Sequence, residues 1–194
     1  LGASSSDPLG NACGYSRSPN AKSICGSLGY ALPDAHYADK VVILTDDLVA
    51  YPNTPNSISE HDVDFVVEVD SVGDSSKIAS GAIRDTKNPR DILLAKQAAK
   101  VIVNSGYFKE GFSIQTGSGG ASLAAVKYIR QSMIDQNIKA SFALGGITAH
   151  MVKMHEEGLI ERLIDVQSFD KVAAESIKND PFHKGVSANE YASA

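Results

Sequence analysis

The segment Gln115-Thr116-Gly117-Ser118-Gly119-Gly120 gathers three glycines and three polar side chains into six residues. Glycine turns let backbone come close to a bound group and aim several N–H groups at one point. If a helix follows, its positive N-terminal end faces the same point. Such a place attracts a phosphate, or the oxyanion that develops during acyl transfer. The backbone of Gly117, Ser118, Gly119 and Gly120 supplies the donors, and the side chains of Gln115 and Ser118 can support them. A second pair, Gly145-Gly146, lies one strand–helix unit further on. It could line the opposite wall.

Other chemistries fit these residues less well. A P-loop requires lysine after its glycines, and none follows here. The dinucleotide fingerprint requires a third glycine, where Ser122 stands, and an acid closing the next strand, where Leu144-Gly145-Gly146 stands. NAD binding is therefore a weak alternative. No G-x-S-x-G elbow supports a serine hydrolase. His150 and His155 do not share a helix face well, and His36, His61 and His183 lack metal-ligand spacing. They read as surface or structural residues. Asp46, Asp47, Asp62, Asp64 and Asp70 could hold a metal or act as acid and base, but such residues more often solvate strand ends. No metal is expected.

The elements that must position the glycine turn can be read around it. Phe112, Ile114 and Thr116 suit a buried strand before the turn. Leu123, Val126, Ile129 and Met133 follow it at helical spacing. Upstream, Asn88 is a good N-cap, Pro89 suits the first helical position and Asp91 sits in the first turn. Leu94, Ala98, Val101 and Ile102 are expected to form that helix's buried face, with Gly106 just past its end. Downstream, 138–144 reads as a strand running into Gly145-Gly146. Thr148 can cap a helix that Gly158 ends. A strand over 160–166 and a helix opened by Asp170 and stopped by Pro181 complete the pattern. Strand and helix alternate, which predicts an α/β sheet with right-handed crossovers.

The first part reads differently. Residues 1–27 are rich in Gly, Ser, Asn and Pro, and 4–11 reads as a surface turn or hairpin tip, or as a loop donating hydrogen bonds to a ligand. Two apolar runs, 38–44 and 61–70, predict strands of a parallel sheet covered on both faces. A change of character over 71–87 suggests a domain junction.

The whole chain has 194 residues and a net charge of −5, which disfavours a general nucleic-acid binder. No apolar run is long enough to span a membrane, and no signal peptide opens the sequence. Two cysteines, Cys13 and Cys25, are too few for a disulfide scaffold and read as reduced thiols in a cytoplasmic protein. Leu1 is not a start methionine and the end carries no helix-closing signal, so a piece of a longer polypeptide is expected.

QTGSGGASLAAVKYIRQSMIDQNIKASFALGGITAHMVKMHEEGLIERLIDVQSFD closely resembles the citrate lyase alpha subunit family, the citrate CoA-transferase component. SSSDPLGNACG, ADKVVILTDDLVAYPNTPNSISEHDVDFVVEVD and SANEYA carry the resemblance through essentially the whole chain. It implies a CoA-transferase-like (NagB/RpiA-like) open sheet with flanking helices, in parts of two similar domains. Residues 1–75 would close the first and 76–194 would make much of the second. It implies exchange of acetyl for citryl on an acyl carrier protein thioester, releasing acetate. The thioester sits on a phosphoribosyl-dephospho-CoA arm of the gamma subunit; CoA or acetyl-CoA can stand in, and no cofactor is held tightly by this chain. A beta subunit then cleaves the citryl thioester, and an oligomeric complex is expected.

On this reading Gln115, Gly119 and Gly120 serve catalysis, while Thr116, Gly117, Ser118, Gly145 and Gly146 bind the donor. Many CoA-transferases carry a glutamate nucleophile near FALGGIT. The match here falls near Gly145, and Glu156 and Glu157 lie too far along. Direct transfer in a ternary complex, through a mixed citric–acetic anhydride, is the expected route. An acetyl-CoA hydrolase or other acid CoA-transferase, and a non-catalytic CoA or sugar-phosphate binding domain, are the competing readings. No arginine cluster marks an acceptor pocket: Arg17, Arg84, Arg90, Arg130 and Arg162 are scattered.

Overall fold

A computed structural model of the chain describes residues 1–78 and 86–193. The junction expected over 71–87 falls partly on 79–85, outside the described residues, as does Arg84.

The first part builds a three-stranded parallel sheet in the order β1-β4-β5, from β1 (Gly2–Ala3), β4 (Val42–Thr45) and β5 (Phe65–Glu68). One face packs Ala3, Val41, Ile43 and Ile58 with Leu28 and Ala35, the latter from α1 (Ala31–Tyr37). The other face leaves Val42, Leu44, Phe65 and Val67 exposed in this chain. The expectation of a sheet covered on both faces is corrected there.

The segment expected to be a surface turn or hairpin tip is a hairpin, but a buried one. β2 (Ser5–Ser6) pairs antiparallel with β3 (Ala12–Cys13), and Ser4, Ser5, Ser6 and Asp7 are buried. Polar residues tolerate this burial because each finds a partner. Ser4 Oγ donates to Gly14 O at 2.9 Å, and Ser5 Oγ donates to Tyr15 O at 2.9 Å. Asp7 Oδ1 accepts from the backbone of Leu9, Gly10 and Asn11 at 3.0, 3.0 and 3.1 Å. Its Oδ2 accepts from Asn11 Nδ2 at 2.8 Å and from Asn53 N at 2.9 Å. Burial acts to raise the Asp7 pKa, but these hydrogen bonds outweigh it and hold the carboxyl below its ordinary value. Asp46 and Asp47 are also buried, accepting from Ser23 Oγ at 2.8 Å and Ser16 Oγ at 2.5 Å. They tie loops together rather than solvate strand ends. Among the described residues no group of acids, histidines or cysteines is placed to hold a metal. Cys13 and Cys25 are free thiols.

The second sheet has four parallel strands in the order β6-β7-β8-β9: Phe112–Ile114, Ala140–Ile147, Leu163–Ser168 and His183–Gly185. The connecting helices are α3 (Gly120–Gln136), α4 (Ala149–Glu156) and α5 (Lys171–Asn179), with α2 (Pro89–Val103) ahead of β6. Leu123, Val126, Ile129 and Met133 form the buried stripe of α3, as their spacing predicts. The core beneath adds Ile114, Ala140, Ala143, Ile147, Met151, Met154 and Leu163.

Asn88 caps α2, its side chain accepting from Arg90 N at 3.0 Å. The buried face of α2 differs from the expected one. Ala95 and Ala99 point inward, with Ala95 meeting Ala124 and Ala125 of α3, while Leu94 and Val101 are 60% and 70% exposed. Small residues allow close helix contact, and the larger apolar side chains are turned outward.

The two sheets meet along residues 26–29. Ser27 N donates to Ser168 Oγ at 3.0 Å and Ser27 Oγ to Asp165 O at 2.6 Å. Ala188 N, at the start of α6 (Ala188–Ala192), donates to Gly29 O at 2.8 Å. Gly29 lies so close that a Cβ there would stand 2.4 Å from both Val166 O and Val186 O. No helix among the described residues is long and apolar enough to cross a membrane.

Candidate functional site

The glycine turn lies where the sequence pattern put it, between β6 and α3. Gly119 is the N-cap of α3 and brings no side-chain cap. No acid stands in that turn either. Ser122 folds back over Gly117, its Oγ 3.4 Å from where a Cβ would stand. Thr116 Oγ1 is buried and has no hydrogen-bond partner. A buried hydroxyl without a partner costs free energy and is a place for a ligand or water oxygen. Uncapped N–H groups and this hydroxyl therefore suit an anionic or oxyanionic group.

The Gly145-Gly146 pair is not a turn. β7 runs straight through it to Ile147, with a register shift against β8 between the two glycines. The strand expected to end at Leu144 therefore continues three residues further. Gly145 sits at φ +106°, and its bare Cα faces Gln115: a Cβ there would lie 3.3 Å from Gln115 Nε2 and 3.4 Å from Gln115 Cγ. Gly146 faces the Phe169 ring, and a Cβ there would fall 1.9 Å from Cε2. The structure thus brings Gln115 and Gly145 together at the carboxyl ends of adjacent parallel strands, where open α/β sheets hold ligands. Gly146 is occupied by Phe169.

Thr148 is the N-cap of α4, but its side chain does not cap; Oγ1 is buried and has no partner. Asp170 Oδ2 accepts from Ala149 N at 2.7 Å instead, while Asp170 Oδ1 accepts from Ala173 N at 2.9 Å. One carboxylate thus serves the first turns of α4 and α5.

Sequence reasoning missed Tyr191. It lies 76 residues from Gln115 on a five-residue helix, and Gln115 Nε2 donates to its hydroxyl. It also missed the knot around His183. Asp165 and His183 side chains are fully buried. His183 Nε2 lies 3.2 Å from Asp165 Oδ2, His183 Nδ1 lies 2.9 Å from Ser176 Oγ, and Ser168 Oγ donates to Asp165 Oδ2 at 2.6 Å. The only sequence signals were the residue types themselves. His155 is structural too, set between Ile160 O at 2.6 Å and Asp180 Oδ2 at 2.9 Å.

Three of the described arginines have separate partners. Arg17 stacks over Tyr15, Arg162 stands over Phe142, and Arg130 donates twice to Glu157 at 2.6 and 2.8 Å. Hydrogen bonding from Arg130 lowers the Glu157 pKa, and Glu156 is exposed. A cleft of about 410 Å³ lies between the two parts, bounded by Tyr15, Arg17, Asn56, His183, Lys184 and Glu190. None of residues 115–120 lines it.

The model of the family described as citrate lyase, alpha subunit, matches residues 1–194. The citrate lyase alpha chain of Haemophilus influenzae is 57% identical over 192 residues, covering 99% of this chain and 38% of that protein. The chain thus spans about two-fifths of the length of the curated relatives it matches. A crystal structure of the alpha subunit of citrate lyase from Streptococcus mutans, in complex with citrate, superposes with a TM-score of 0.89 at 56% identity, covering 98% of this chain and 37% of that one. The alpha subunit of a malonate decarboxylase from Acinetobacter baumannii shares the fold at 16% identity, with a TM-score of 0.61 over 97% of this chain and 33% of that one. Sequence and fold agree: this chain belongs to the citrate lyase alpha subunit family.

Proposed function

We propose that the protein containing this chain is a citrate CoA-transferase. It exchanges acetyl for citryl on the thioester of an acyl carrier subunit and releases acetate. The observation that carries the reading is the Gln115 amide laid across the bare Cα of Gly145, beside the uncapped start of α3. Transfer between carboxylate and thioester passes through oxyanionic species. The N–H groups of Ser118, Gly119 and Gly120, with the Gln115 amide, would receive that charge. Thr116 Oγ1 and the turn at Gly117 and Ser118 would hold the donor arm, and Gly145 would leave room for it. Tetrahedral charge at this place is worth more to stabilise than charge in water, because oriented donors need not reorganise.

The two sheets correspond to parts of two CoA-transferase-like (NagB/RpiA-like) domains, 1–75 and 76–194. A carrier-linked phosphoribosyl-dephospho-CoA thioester is the donor substrate, and CoA or acetyl-CoA its surrogate. A beta lyase subunit and a gamma carrier subunit are the partners, in a cytoplasmic oligomeric complex. Citrate is the acceptor, in keeping with the citrate held by the Streptococcus mutans relative. No carboxylate takes the place of Gly145, and Glu157 is engaged by Arg130. Transfer therefore runs directly, through a mixed citric–acetic anhydride, without a glutamyl-enzyme.

The test gives the full-length subunit acetyl-CoA with and without citrate, and measures acetate and citryl thioester by mass. Citrate-dependent exchange is expected. Acetate release that ignores citrate would instead indicate a hydrolase, and CoA binding without turnover, even with carrier protein supplied, would indicate a binding module.

A further inference from the structure

We propose that Tyr191 is a positioning residue: its phenol holds the Gln115 amide over Gly145 and so sets the direction of the site's one side-chain amide donor. The inference rests on the transferase reading for its catalytic consequence, though its geometry stands alone.

Gln115 follows the last residue of β6 and is exposed. A glutamine has three rotatable side-chain bonds, and holding it in one direction costs rotamer freedom. Two contacts offset that cost. One is the glycine at 145, where a Cβ would stand 3.3–3.5 Å from Gln115 Nε2, Cγ and Cδ, so that the bare Cα leaves the amide room to lie beside it. The other is the hydrogen bond from Nε2 to Tyr191 Oη. The glycine bounds the side chain on one side without choosing where the amide ends. The phenol makes that choice.

Tyr191 is itself held from behind. Ser187 Oγ accepts from Asn189 N at 3.2 Å, Tyr191 N donates to Ser187 O at 2.9 Å, and Ala188 N donates to Gly29 O at 2.8 Å. The helix carrying the phenol is thus fastened to the seam between the two sheets. The arrangement also leaves the Tyr191 O–H proton and the second Nε2–H undirected by this bond. Both remain donors for a ligand oxygen, and accepting from Gln115 strengthens the phenol as a donor.

The test is a double-variant cycle in the full-length subunit assembled with its partners, using Tyr191→Phe and Gln115→Ala. Tyr191→Phe keeps the ring and removes only the hydroxyl. The expected result is a roughly tenfold fall in kcat, the loss of about one hydrogen bond to a charged transition state, with KM for the thioester within about twofold. In the Gln115→Ala background, Tyr191→Phe should change kcat by less than about twofold. An equal fall in both backgrounds, or none in the first, would overturn the proposal. A crystal structure of the full-length Tyr191→Phe variant separates this from failure of the transferase reading. The amide should leave its place over Gly145; an unchanged amide would reject the positioning role even if exchange were never seen.

Discussion

His183→Ala is expected to be among the most costly single changes in the second sheet. Both side chains of the Asp165–His183 pair have no exposed surface. The imidazole supplies one of two hydrogen bonds to Asp165 Oδ2; Ser168 Oγ supplies the other, and Asp165 Oδ1 is already buried and unpartnered. Removing the ring leaves the carboxyl more poorly satisfied, at about 1–3 kcal/mol, and leaves a cavity that costs roughly 2 kcal/mol. The total is about 3–5 kcal/mol. Urea unfolding followed by circular dichroism gives the difference from midpoint and slope. Asp165→Ala and the double variant complete a cycle, in which a coupling of at least about 1 kcal/mol is expected for groups sharing one bond. A loss below about 1 kcal/mol for His183→Ala, or full additivity in the cycle, would refute the account of a mutually dependent buried pair.

Asp7→Asn should destabilise the hairpin by about 2–3 kcal/mol, because an amide nitrogen cannot accept from Asn11 Nδ2 and Asn53 N as Oδ2 does. The folded Asp7 pKa lies below its unfolded value, so its contribution is fully present above the unfolded pKa and is lost as pH falls through the folded one. The variant should flatten the acid limb of a stability–pH curve in that window, and an unchanged limb would count against the hairpin's dependence on this carboxylate. Gly146→Ala should cost about 1–3 kcal/mol by overpacking against Phe169, and pairing it with Phe169→Leu should recover part of the loss in the same denaturation assay. No recovery would mean that the backbone at the register shift, and not the ring, sets the penalty.

How far the sequence carried can be judged from particular elements. Asn88-Pro89 marked the start of α2 and the Leu123, Val126, Ile129, Met133 stripe marked α3, because caps and periodicity are local properties. Which face of α2 goes inward was not local: it depends on Ala124 and Ala125 of α3 offering a shallow surface. The hairpin at Ser4 to Cys13 reads as polar loop, and its burial rests on hydroxyl and carboxylate bonds that no hydropathy pattern records. At the candidate site the turn was legible from its glycines. The strand through Gly145-Gly146 was not, because a register shift carries pairing past residues that usually end it. Tyr191 was out of reach, since only the folded chain brings it to Gln115.

The seam at Gly29 also sets how this molecule can breathe. With the backbone of Gly29 laid against the carbonyls of Val166 and Val186, and Ser27 bonded to Asp165 and Ser168, the two sheets meet at that line with backbone against backbone. Sliding one past the other would break several bonds at once and regain none part-way. Shear at this junction is therefore resisted by the close backbone contact and the two Ser27 bonds together. The short helix α6 is fastened to this seam by the bond from Ala188 N to Gly29 O, so any shift of the seam carries Tyr191 with it, and with Tyr191 the hold on Gln115.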